Sequence, residues 1–135
     1  MANLTTNRKN EKKGGLGIII TGELASGDSR VFQGTILGYD ANGKLVAGPG
    51  VKFAGVADEE YIPPCAGEEK PAVIRYTATK GGMCWILLPI EGTVNGRATA
   101  YVQDSGTLTT TSGAVEAGEV TVDIETPAGF AWLAM

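Results

Sequence analysis

The 135-residue chain contains no histidine and only two cysteines, Cys65 and Cys84. Zinc sites of the usual Cys/His types need four such ligands, so the chain cannot supply one by itself. Acid–base and nucleophilic catalysis most often recruit histidine, which leaves carboxylates as the remaining candidates. The available clusters, Asp58-Glu59-Glu60 and Glu68-Glu69, are adjacent acids that read as solvated loop faces. Ser26, Ser29, Ser105 and Ser112 lie in turn-like sequence without a base, and none sits in a GxSxG elbow. The expectation is a protein that is not an enzyme and carries no cofactor or metal.

Long apolar runs are missing too. The basic cluster Arg8–Lys13 is followed only by Leu16 and Ile18–Ile20 before polar Thr21 and Glu23, too short a run for a secretory core or a membrane span. This reads as synthesis in a reducing cytoplasm, no membrane contact, and free, mostly buried thiols. No window carries a helical stripe. Asp40-Ala41-Asn42-Gly43 opens like a calcium loop, but Lys44 and Val51 occupy coordinating positions, so a hairpin turn is the better reading.

What the sequence does have is charge asymmetry and strand chemistry. The net charge is −4, yet residues 1–13 hold Arg8, Lys9, Lys12 and Lys13 against Glu11, which makes them +3 and the rest −7. An acidic body disfavours nucleic acid as a partner. Residues 1–16 form a polar, basic arm ended by Gly14-Gly15, and residues 17–135 form the body. Gly 20, aromatics at 7% and many Thr and Val residues favour short strands joined by turns over helices. The length suits one modest core rather than two independent ones.

The pattern along the body is all-β. "GIIITGEL" reads as a strand; Thr35–Tyr39 and Lys44–Ala47 read as a hairpin around Asn42-Gly43 with a type I′ turn. Val51, Phe53 and Val56 mark a half-buried strand, and "IPPCAGEEKP" (62–71) a surface loop. "AVIRYTATKGG" and "MCWILLPIEGTV" follow as strands with Trp85, Leu87 and Ile90 as core candidates. The run Cys84–Leu88 suggests burial on both faces, and Pro89 suggests an edge or a bulge. Asp104-Ser105-Gly106 turns another hairpin. Val120, Val122 and Ile124 alternate with polar residues, and Phe130, Trp132 and Ala134 share a face of the final hairpin. About ten short strands with frequent turns predict a small antiparallel sandwich or barrel.

"GTILGYDANGKLVAG", "FAGVADEE", "ATAYVQDSGTLTTTSG", "GEVTVDIE" and "GFAWLAM", in that order over residues 30 to 135, resemble the small head decoration, or structural cement, proteins of tailed double-stranded DNA bacteriophages. The resemblance rests on segment order and on the YDANG and YVQDSGTLT hairpins. It implies a β-rich domain on the outer surface of the virion, bound to the major capsid protein, often as an oligomer such as a dimer or trimer, and needing no cofactor.

An extended arm cannot hold itself still: ordering costs roughly 1–2 kcal/mol of backbone entropy per residue. The expectation is that residues 1–17 lie along a capsid subunit or a neighbouring copy, with Arg8, Lys9, Lys12 and Lys13 meeting acidic residues. Leu16 and Ile18, Ile19 and Ile20 would then join an exposed sheet edge. Alternative readings are a tail or head-fibre component, or a surface carbohydrate-binding module with Tyr61 as the exposed aromatic contact. Trp85 and Trp132 lie in apolar runs and read as core.

Overall fold

A computed structural model describes residues 3–82 and 84–135. Its elements are β1 (Lys12–Lys13), β2 (Ile19–Glu23), β3 (Ile36–Tyr39), β4 (Leu45–Ala47), β5 (Lys52–Ala57), β6 (Val73–Ala78), β7 (Trp85–Glu91), β8 (Arg97–Val102), β9 (Leu108–Thr109), β10 (Glu116–Thr121) and β11 (Phe130–Ala134). The fold is all-β, with no helix among the described residues.

The turns show why the chain breaks where it does. Between β3 and β4 the Asp40 carboxylate accepts the backbone N–H groups of Asn42, at 2.8 Å, and Lys44, at 2.9 Å. Gly43 takes φ +76° while Asn42 does not turn left-handed, so the loop is not type I′. The hairpin is as expected, but its turn is shaped by an aspartate serving two donors and one left-handed glycine.

Strands β1-β7-β11-β10-β8-β9 form one sheet, and β9 returns to pair in parallel with β7 at Ile90↔Leu108 and Glu91↔Thr109. The five strands from β7 to β9 thus close into a ring, while β1 takes the part of the β7 edge that β9 leaves free. Alternation sends Ile86, Leu88 and Ile90 of β7, and Ala131, Leu133 and Met135 at the end of the chain, into the ring. Trp85 and Leu87, expected in the core, are half-buried on the outer face; Ile90 is buried. The apolar run of β7 is therefore fully buried on one face only. Phe130, Trp132 and Ala134 do share a face, the outer one. Leu87 donates toward β1 and Ile90 toward Gly129, so the nitrogen of Pro89, by alternation, faces the gap between β1 and β9 where no N–H is called for.

The second sheet runs β2-β6-β5-β3-β4, and beyond β2 the chain meets β4 again through a bridge between Leu24 and Leu45. Its two faces are both covered. Ile36, Phe53 and Val56 pack with the ring interior, whereas Leu37, Ala54, Ala57, Ile74 and Tyr76 join Leu24, Leu45 and Tyr61 on the far side. Two clusters exist where one core was expected, but they share a sheet and so are not independent.

A bulge explains how β5 serves both. Leu37 pairs with Gly55 and Gly38 with Phe53, leaving Ala54 extra. Residues three apart in a regular strand face opposite ways; the extra residue puts Phe53 and Val56 on one face and Ala54 and Ala57 on the other. Val51 precedes the strand and is 66% exposed, contrary to its expected place in it. Likewise β10 ends at Thr121 rather than continuing to Glu125: the Thr121 hydroxyl donates to the Gly96 carbonyl and accepts from Asp123 N–H, closing the strand end.

Candidate interaction surface

Residues 3–13 lie as an extended strap across the seam between the two sheets of their own chain. At one end Ser105 N–H donates to the Asn3 side-chain oxygen and Leu4 N–H to the Ser105 hydroxyl. Asn7 accepts from Gln33 N–H at 2.9 Å and donates to Glu60 at 3.2 Å. Asn10 donates to the Ala57 carbonyl at 2.8 Å and to Asp58 at 3.0 Å. The Glu11 carbonyl accepts Leu87 N–H, and β1 pairs with Trp85 and Ile86. These groups lie in turns, at strand ends and along the free edge of β7, and a polar segment can bond to them where an apolar side chain could not.

Arg8 is the deepest anchor. Its guanidinium donates to the carbonyls of Gly34 at 2.7 Å, in the second sheet's half, and Gly106 at 2.9 Å, in the ring's half. Burial lowers its pKa from the ordinary arginine value, and the charge of Asp104 works in the opposite direction. Its Nε is buried without a partner. Lys12 donates to the Thr77 hydroxyl at 2.8 Å and stands 3.2 Å from Asp58, and Thr77 in turn donates to Asp58 at 2.7 Å. Lys13 sits 5.3 Å over the Trp132 ring.

Of the cations expected to reach a partner, Arg8, Lys12 and Lys13 are thus engaged within the chain. Lys9 is exposed. Asp58, expected to be a solvated acid, is mostly covered by Lys12; Glu59 pairs with Arg75, and Glu60 with Arg30 and Asn7. Hydrogen bonds from Asn7 and Arg30 hold the Glu60 carboxyl below its usual range. The sequence offered little sign of this: the side-chain hydrogen bonds between strap and body span 26 to 102 residues.

After the strap, Gly14, Gly15 and Gly17 all take positive φ and carry the chain over Cys84 into β2. At Gly17 a side chain would stand 2.7 Å from Cys84 Sγ, so glycine is required for the close approach. Cys84 is buried as expected, and burial pushes its thiol up; Lys12 opposes that shift and Asp58 adds to it. Cys65, expected with the buried thiols, is exposed because the 62–71 loop carries it away from both clusters.

The apolar residues beyond the hinge point the other way. Leu16 is 72% exposed, and Ile18, Ile19 and Ile20 each more than 40%. Ile18 accepts from Ala78 N–H, so even-numbered residues of this segment bond to β6 and odd-numbered ones face outward. On that outer side Ala25 N–H is taken by the Leu45 carbonyl. Among the described residues no strand pairs with the same side at Ile19 and Thr21. The segment thus presents side chains and an open backbone edge together.

Tyr61 is not an exposed contact. It is 2% exposed, because its two backbone bonds with Val31 draw it inward, its hydroxyl donates to the Gly27 carbonyl, and Lys70 lies 4.8 Å over its ring. Trp132 is 3% exposed, with Lys13 over its ring. No group of three or more possible metal ligands exists among the described residues. Comparison with protein-family models, with curated proteins and with solved structures finds nothing that matches this chain.

Proposed function

We propose that the protein is a decoration, or cement, protein of the head of a tailed double-stranded DNA bacteriophage, bound to the major capsid protein on the outer surface of the shell. The resemblance of the body's hairpins to that family supplies the shell. The observation that carries the contact is the edge of β2, where Leu16 and Ile18–Ile20 stand in solvent and, among the described residues, no strand pairs with the outer side at Ile19 and Thr21. Exposed, flat, apolar edges are templates for strand addition, and natural proteins usually blunt them. A shell of repeated subunits suits such a contact, because several weak attachments raise one another's effective concentration. The protein would be made in the host cytoplasm, act on the virion as a dimer or trimer, and perform no catalysis.

The test is co-sedimentation of the purified protein with expanded, undecorated phage heads. Saturable binding, with heads that withstand higher temperature when occupied, is the expected result. Absence of saturable binding overturns the assignment.

A further inference from the structure

A cleft of about 500 Å³ opens where the two sheets diverge. Phe53, Val115, Ala117 and Met135 floor it, Val51 stands at its rim, and Lys52, Lys80 and Glu116 are its free charges. The charges of the body sort unevenly about this place. Arg30, Lys44, Arg75 and Arg97 each pair with a carboxylate, and Lys70 lies over the Tyr61 ring. Beyond the strap, Lys52 and Lys80 alone have no ion pair, side-chain hydrogen bond or ring contact among the described residues, and both line the same cleft. Glu116 and Glu119 line the cleft as well, Glu119 paired with Arg97, so on a body of charge −7 the free charges here are two lysines against one acid.

Lys80 is also the one non-glycine residue with a left-handed backbone among those described, at φ +61°. Such a conformation costs on the order of 1 kcal/mol and points to a position that is over-determined by its surroundings. It stands in the 79–82 turn, which lines the cleft on one side and meets Ile18 at Gly81 on the other. The cleft and the open edge of β2 therefore flank a single turn.

We propose that this cleft seats an extended acidic segment of a partner protein. One apolar side chain rests on Val51, Val115 and Met135, and carboxylates of the segment meet Lys52 and Lys80. Glu116, lining the cleft with no ion pair among the described residues, disfavours an acid placed beside it and so biases the segment toward the lysines. The occupant follows from the chemistry of the cleft, so the inference fails or succeeds apart from the shell assignment.

The experiment titrates the ¹⁵N-labelled full chain with the peptide Ac-Glu-Asp-Phe-Asp-Glu-NH₂. Its counterpart with lysines for the acids and, separately, decanoate are the comparison probes. Saturable shifts confined to residues 51–53, 79–82 and 114–119 are expected. They should weaken about tenfold, equivalent to about 1.4 kcal/mol, in the Lys52→Glu/Lys80→Glu double variant. The milder Lys52→Gln/Lys80→Gln pair gives the same comparison if charge reversal disturbs folding. An equal response to the basic peptide, shifts elsewhere, or no saturation overturns the proposal. Tighter binding of decanoate at the same residues also overturns it, in favour of a small anionic amphiphile.

Discussion

Residues 3–13, almost all polar, are tied to the body, while residues 16–20, almost all apolar, stand in solvent. A hydropathy reading predicts the reverse. The difference lies in what each segment meets. The seam between the sheets is rimmed by carbonyls and N–H groups that no ladder uses, among them the carbonyls of Gly34 and Gly106. Leaving such groups dry and unpaired costs about 1–3 kcal/mol each, so the seam selects a strap rich in donors. The edge of β2 closes on Leu45 only at its far end and leaves its isoleucines without a covering layer.

The largest effect that would break this comparison is expected at Arg8. Arg8→Ala removes the donors to Gly34 and Gly106 and should destabilise the fold by about 2–3 kcal/mol, read as a lower midpoint in urea with unchanged slope. Arg8→Lys should restore only part, because an ammonium lacks the planar fork that spans both carbonyls. A loss under about 0.5 kcal/mol would make the strap an ornament.

An intermediate effect sharpens the picture at the hinge. Iodoacetamide should modify exposed Cys65 readily and Cys84 at least about tenfold more slowly, since burial both shields the thiol and disfavours its thiolate. The Cys84 reaction should climb only at pH above the ordinary thiol range, because burial raises its pKa. Replacing Arg8 should speed only the Cys84 reaction. Equal rates for the two thiols in the unaltered chain would contradict a docked strap.

The smallest effect on stability belongs to the edge. Ile19→Lys should change unfolding free energy by no more than about 0.5 kcal/mol, because the side chain is exposed. The same change should lower occupancy on phage heads, since a charge on an edge strand opposes strand addition. Unchanged occupancy would separate this edge from attachment.

The legible part of the fold is the part written in short-range chemistry. The β3–β4 hairpin and the Asp104–Gly106 turn follow from turn residues beside β-branched runs, all within a few positions, and the final strand pair was legible too although residues 122–129 separate its strands. That "GIIITGEL" forms a strand was legible from its β-branched run, but not that it lies at the edge of its own chain's second sheet with its isoleucines exposed. The bulge at Ala54 was not, because a single extra residue only blurs alternation. Nor was the strap: residues 1–17 read as an arm laid on a capsid subunit or a neighbouring copy, because the groups that hold Asn3, Asn7, Arg8 and Asn10 come from distant parts of the same sequence. Tyr61 beside a proline-rich loop looked exposed, but pairing with Val31 overrode composition.

The strap also sets an order in time. Leu4 is bound to Ser105, 101 positions later, so the strap is made well before the groups that hold it. At about 5–20 residues per second that interval is roughly 5–20 s of synthesis. Until then the seam has no cover, and the clasp that fastens the two halves is cut before the cloth it joins.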